Sequence, residues 1–376
     1  MAQQHAITVD FGKPLAEQPH IGHNRWHPAI RPVLSVESGD RLVLQALDAM
    51  DGQFTMSSTA ADVAAASLQR VHPMTGPVLV AGAEPGDVLA VRIDDIEPAG
   101  FGWTAQIPGS GFLREEFTEP FLARWEIDGG YAVSADLPGI RIGDQSFPGV
   151  IGVAPSADLL RSTAQREAEL LARGGAVNPP DPAGAVPSDP DIAAEALRTI
   201  PPRETGGNLD IRQLTRGTTV LIPVSASGAL LSCGDFHFAQ GDGEVCGTAI
   251  EMQATVHLTV TLRKGSGAAD GRLGRGVAYS REAAGPEEDP ERGGYFATTG
   301  ICVSGDGRNE SENATLAAQN AIRAMIDHLM RDRGYTAQQA YSICSVAVNL
   351  RLSQVVDVPN FVASAFLPLG IFTDHT

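Results

Sequence analysis

The chain lacks the feature that would place it in a bilayer, since no window approaches the roughly 18 consecutive apolar residues that a membrane helix needs. Its opening, MAQQHAITVDF, has neither a basic n-region nor an apolar h-region, so the expectation is a cytoplasmic protein with no membrane partner. Positive charge is scarce: Lys+Arg 27 against Asp+Glu 45 leaves a formal net charge of −18, a field that repels phosphate backbones and argues against nucleic acid as a partner. Cysteine is scarcer. The four, Cys233, Cys246, Cys302 and Cys344, form no Cys-x-x-Cys pair, which argues against a disulfide framework and a thiolate metal knuckle. Reduced, buried thiols are expected. Nucleophile and phosphate signatures are missing too. The string nearest to a Gly-x-Ser-x-Gly elbow is Ile107-Pro108-Gly109-Ser110-Gly111, and no phosphate loop or strand-borne Gly-x-Gly-x-x-Gly occurs.

What is present is a globular composition, 43% hydrophobic and 19% charged over 376 residues, long enough for two domains or one large one. The 41 Gly and 25 Pro, set among Val, Leu and Ile runs, indicate short strands joined by tight turns. One device occurs twice, Ser38-Gly39-Asp40 before RLVLQAL and Pro85-Gly86-Asp87 before VLAVRI, as if two β-units shared a plan. Strand character is clearest from Glu251 to Leu262, where Met252, Ala254, Val256, Leu258 and Val260 alternate with polar residues. Late in the chain the period becomes helical through Leu316, Ile322, Met325, Ile326 and Leu329, ended by Gly334. Thr336 and Gln339 form a capping box for a second helix through YSICSVAVNL. The expected fold is therefore α+β and mostly β, with barrel- or sandwich-like units and a late helical pair. Its expected parts are a β-rich domain over 1–164, a helix and proline-rich insertion over 165–206, and a β-rich domain with the helix pair over 207–376. A charged, glycine-rich stretch from Lys264 to Gly294 reads as an exposed loop.

The densest group of ionisable residues among glycines is SCGDFHFAQGDGEVCG, residues 232–247. On an extended backbone residues i and i+2 face one way, so Asp235 projects with His237 and Asp242 with Glu244. An imidazole among carboxylates suits a divalent metal; the alternative is a polar glycine loop at a strand end. Cys233 and Cys246 flank the group, but acidic surroundings disfavour a thiolate, which leaves them as packing residues. A second group, His23-Asn24-Arg25-Trp26-His27-Pro28, reads either as a site wall or as a packed segment with satisfied histidines. Asp48 and His72 stand singly beside apolar runs.

These strings, with EPGDVLAVRI, PGVIGVAPS at 148–156, GGNLDI at 206–211 and CSVAVNLRLSQVVDVPNFVASAFLP, resemble the acetamidase/formamidase family, in order from about residue 20 to about residue 370. The resemblance implies an amidohydrolase that cleaves the C–N bond of small aliphatic amides, giving a carboxylate and ammonia, by metal-activated water. A lactamase or imidase on the same scaffold, or a metal-binding protein without enzyme activity, is the alternative. It implies metal ligands at Asp48, His72, Asp235 and His237, with Glu244, or else Glu251, as the ionised base. Phe147, where formamidase-like members carry His, would line the substrate pocket together with His23 and Trp26. Zinc is the expected cofactor, calcium the alternative, and a homo-oligomer the expected assembly.

Overall fold

The computed structural model describes residues 2–265, 276–281, 294–356 and 358–373. The architecture is α+β and mostly β, and among the described residues no closed barrel forms. Its centre is one large sheet in which the long strand Val88–Gln106 pairs antiparallel with Glu251–Arg263, Phe121–Asp128 and Thr218–Pro223. That sheet takes strands from both β-rich stretches, because Arg41–Ala46 also pairs with Glu251–Arg263. The alternation in Glu251–Arg263 is realised as read: Met252, Ala254, Val256, Leu258 and Val260 are buried, while Gln253, Thr255, His257 and Thr259 are half-buried. Glu251 departs from its face, since it is buried to 2% exposure where the strand reaches the interior of the site.

The repeated turn is a structural repeat as well. Gly39 and Gly86 have φ of 99° and 95°, a conformation glycine adopts without a Cβ clash. In each turn the aspartate accepts the N–H three residues back: Glu37 N donates to Asp40 Oδ2 at 3.0 Å and Glu84 N to Asp87 Oδ2 at 2.8 Å. Each turn then feeds an apolar strand into the sheet.

Residues 165–206 carry the end of the helix Ala157–Ala172, capped by Ser156, then little regular structure, as proline requires. This stretch is nevertheless packed. The buried Arg25 guanidinium donates to the carbonyls of Asp181 and Ala183 at 3.1 and 2.8 Å, and to that of Gln69 at 3.2 Å. The expected loop from Lys264 to Gly294 falls largely outside the described residues, and its described part includes the strand Ala278–Arg281, paired with Thr218–Pro223.

The late helices form as the caps dictate. Ala314–Arg333 ends at Gly334 with φ of 74°, and Ala337–Ala347 starts from the Thr336–Gln339 capping box. The second helix is shorter than expected, because Asn349–Gln354 leaves as a strand of a three-stranded sheet with Val362–Pro368 and Tyr295–Ile301. Its end is pressed against the turn after His237: Gly241 N donates to Ser345 O at 2.7 Å, and a Cβ on Gly241 would lie 2.1 Å from Val348 O. Gly241→Ala should therefore cost about 1–3 kcal/mol through overpacking. A thermal melt checks this, with an unchanged Tm meaning that the turn can slide away from the helix.

Candidate active site

Three strands converge to make the site. Leu231–His237 pairs with Phe147–Val153 on one side and with the start of Glu251–Arg263 on the other, so that Phe147, His237 and Glu251 form one cross-strand row. Side chains in such a row share a face and approach closely. The imidazole Nε2 of His237 lies 3.2 Å from Glu251 Oε2 and 3.4 Å from Asp235 Oδ1. The Phe147 ring packs edge-on against the imidazole, with centroids 4.9 Å apart.

Asp235 comes to His237 by a different route from the one its i, i+2 spacing suggests. Its φ is 55°, a left-handed conformation costly for a residue with a Cβ, and the register steps from Pro148↔Phe236 to Val150↔Gly234 without pairing Gly149 and Asp235. Gly149 is what leaves room. A Cβ there would lie 2.8 Å from Asp210 Oδ1, Asp235 Oδ2 and His237 Cε1 alike. The Gly149 carbonyl also accepts the N–H groups of Leu209 and Asp210, at 2.8 and 3.3 Å, which brings in Asp210 from the end of the strand Gly206–Asn208.

The loop between His237 and Glu251 turns back on itself and returns Glu244. Side-chain atoms of Asp210, His237 and Glu244 lie within 4.8 Å of one another, and so do those of Asp235, His237 and Glu251. The two triads share one imidazole but differ in exposure. Asp235, His237 and Glu251 are buried, whereas Asp210 and Glu244 are partly open to solvent. Asp242 diverges from Glu244, accepting from Gln213 Nε2 at 2.9 Å. Gln213 and its neighbour Arg212 belong to the wall of a cavity of about 850 Å³.

The electrostatics follow from burial of like charges. Burial, with Asp235 beside it, raises Asp210 to about 7 against the pull of His237. Burial likewise raises Glu251 to about 8 and Glu244 well above its ordinary range, Asp210 adding to the effect on Glu244. The sequence expectation is an ionised Glu244, and burial works against that charge. Burial also opposes the charge of Asp235, but the imidazoles of His72 and His237 outweigh it and hold this carboxyl below its usual range. For His237 burial works against the cation, and Glu251 and Asp235 overcome it.

The remaining sequence candidates are placed apart from this cluster or at its edge. His72 Nε2 is 3.9 Å from Asp235 Oδ2, outside hydrogen-bond reach, while its backbone N–H donates to Thr199 Oγ1. Asp48 does not join the cluster as a ligand. Its two oxygens accept the N–H groups of Met50 and Gly52, at 3.0 and 3.1 Å, which makes it the anchor of the turn after Arg41–Ala46. His23 is satisfied by Arg25 O at 2.5 Å and Ser232 Oγ at 2.7 Å. Trp26 packs with Met74, Val150, Leu160 and Leu197, away from the acids. All four cysteines are free and buried, and burial pushes the Cys246 thiol up to about 11. Asp210 is the residue that sequence reasoning missed; its only signal was the string Gly206–Ile211, noted without its acid being singled out.

The profile of the acetamidase/formamidase family matches residues 8–374. The chain is 37% identical to the acetamidase of Mycolicibacterium smegmatis over 364 residues, covering 90% of this chain and 88% of that protein. It is 35% identical to the formamidase of Methylophilus methylotrophus over 386 residues, covering 97% and 93%. A solved structure described as a gamma lactamase from Delftia acidovorans superposes with a TM-score of 0.92 at 36% identity, covering 99% of this chain and 94% of that one. No helix among the described residues is long and apolar enough to cross a membrane.

Gly149→Ala tests the geometry directly. Its methyl group would displace Asp210, Asp235 and His237 together, and a shift of about 1 Å in such a site costs about 10²-fold in rate. Turnover should collapse by that order, with a melting temperature lowered by the overpacking of a buried glycine; full activity would mean that the three residues are not a functional unit.

Proposed function

The chain belongs to the acetamidase/formamidase family and is an amidohydrolase, and from that premise we propose that it hydrolyses small aliphatic amides at the cluster around His237, with a divalent cation as cofactor. One observation carries the cofactor reading. Asp235 Oδ1, Glu251 Oε2 and His237 Nε2 are buried and make no aligned hydrogen bond among the described residues, although Nε2 stands 3.4 and 3.2 Å from the two oxygens. Buried polar atoms are nearly always paired, so acceptors without a donor around one point fit a cation. Two carboxylates and an imidazole within 4.8 Å of one another suit zinc, with calcium the oxygen-rich alternative.

When bound, such a cation supplies a Lewis acid for the amide carbonyl and for water. The rest of the chemistry belongs to the side chains. Asp235, His237 and Glu251, sealed from solvent, are the fixed holders. Ala249 N–H, donating to Glu251 Oε1 at 2.9 Å, fixes that carboxyl so that its other oxygen faces the imidazole. Glu244, on the open side, takes a proton from the attacking water and returns it to the leaving nitrogen. Burial raises its carboxyl well above the ordinary range, and a carboxyl so raised can hold a proton as well as give one up. Asp210 stands beside Glu244 and shares that proton. Phe147 keeps the far side of His237 dry.

A second reading, a lactamase, draws support from the likeness to the Delftia acidovorans gamma lactamase. The two readings part on product, because linear amides release ammonia and a lactam opens to an amino acid without it. A homo-oligomer is the expected assembly, and the exposed Leu352, Val355, Val356 and Val358 favour it; light scattering decides.

The test is ammonia release from formamide, acetamide and propionamide, with ring opening of a simple lactam measured in parallel on metal-analysed protein. Turnover of at least one linear amide is expected, and none on any substrate with metal bound would sink the reading. Glu244→Gln should keep the cation while kcat falls about 10²- to 10⁴-fold. Glu251→Gln should instead release the cation. Reversed outcomes would exchange the two roles.

A further inference from the structure

We propose that Gln240 is a positioning residue that sets which nitrogen of His237 faces the carboxyl cluster and ties that imidazole to Asp210. Gln240 is buried to 2% exposure, and its amide spans the two triads. One end lies 2.8 Å from the Asp210 carbonyl and the other 2.8 Å from His237 Nδ1. A backbone carbonyl only accepts, so the end that faces it must be the NH₂, and the end that faces the imidazole is then the oxygen. That oxygen requires a hydrogen on Nδ1. The opposite nitrogen, Nε2, is thereby the one presented to Asp235 and Glu251, at 3.4 and 3.2 Å.

The choice of an amide has a physical reason. Metal-binding histidines usually bond their second ring nitrogen to a carboxylate, carbonyl or water, which fixes the ring and its tautomer. A carboxylate at position 240 would add another acid beside Asp210, Asp235, Glu244 and Glu251, whose charges are already crowded. Glutamine orients the ring and adds no charge. Its NH₂ also holds Asp210, whose backbone sits at φ of 48° and whose N–H is pinned separately to Gly149 O at 3.3 Å. One side chain thus fixes the imidazole that the two triads share and the backbone of an acid in the outer one.

The proposal rests on the reading of the cluster as a cation site, and its test keeps the two separable. Zinc dissociation is measured by chelator competition on Gln240→Leu and Gln240→Glu, together with exchange protection of the His237 Nδ1 proton in metal-free, ¹⁵N-histidine-labelled protein. Gln240→Leu should weaken zinc binding about 10- to 100-fold and expose the Nδ1 proton to exchange. Gln240→Glu still accepts from Nδ1 but cannot donate to Asp210, so zinc affinity should hold within a few-fold while kcat drops. Unchanged zinc affinity and Nδ1 protection in Gln240→Leu would overturn the proposal. If Gln240→Leu fails to fold, Gln240→Glu decides alone, since loss of zinc affinity there overturns it and retained affinity with lowered kcat supports it. Wild-type protein that binds no divalent cation would defeat the cofactor reading, and the Nδ1 proton would still decide the role of Gln240.

Discussion

Repulsion among Asp210, Asp235, Glu244 and Glu251 around His237 is the constraint on which the site depends. Carboxylates sharing a dry volume cannot all stay ionised unless positive charge sits among them. Burial pushes the carboxyls of Glu244 and Glu251 above their ordinary range, and against burial Glu251 and Asp235 push the His237 imidazole above its own. What that leaves unmet is visible as acceptor atoms without donors. The proposed divalent cation would remove the conflict, because it would pair the orphaned oxygens and leave the imidazole free to be neutral.

Such an arrangement has to be forced by the backbone. Of the seven non-glycine residues with positive φ among the described residues, three are Asp210, Asp235 and Glu244. Non-glycine residues held in this region cost about 1–3 kcal/mol each and persist only where the surroundings over-determine them. Here the surroundings do so: a three-strand row fixes His237 and Glu251, the Gly149 carbonyl pins Asp210, and the helix Ala337–Ala347 backs the turn that leads to Glu244. The large sheet supplies the rigidity. Its core of Val, Leu and Ile is extensive, which lets a few strained residues survive within it.

Periodicity and caps were legible in the sequence because they are local. The alternation from Met252 to Val260, the Thr336–Gln339 box and the Gly334 stop each depend on a few neighbouring residues, and each formed. Asp235 and His237 were legible as a pair, although a left-handed Asp235 opposite Gly149, and not a regular strand, brings them together. Asp210 was illegible because its place depends on pairing between distant strands. Asp48 misled for the opposite reason. An acid at a strand end followed by Gly52 is also how a turn closes on its own backbone, and sequence alone does not separate a turn anchor from a ligand.

The two triads differ in what water can reach, and in the proposed reaction that difference would divide the labour. A cation is held most firmly by groups that cannot re-solvate, which describes Asp235, His237 and Glu251. A proton carrier needs the reverse, since it must return to its starting state each turnover through contact with substrate or solvent. Asp210 and Glu244 are only partly buried, which would give them that access in the proposed reaction. His237 belongs to both triads, so its orientation couples them: a tilt that improved one would degrade the other. Holding that ring from three directions, by the strand backbone, the Phe147 edge and the Gln240 amide, is therefore a requirement of the two-part design. Because none of the three brings a further charge, the ring is fixed without worsening the repulsion that it exists to relieve.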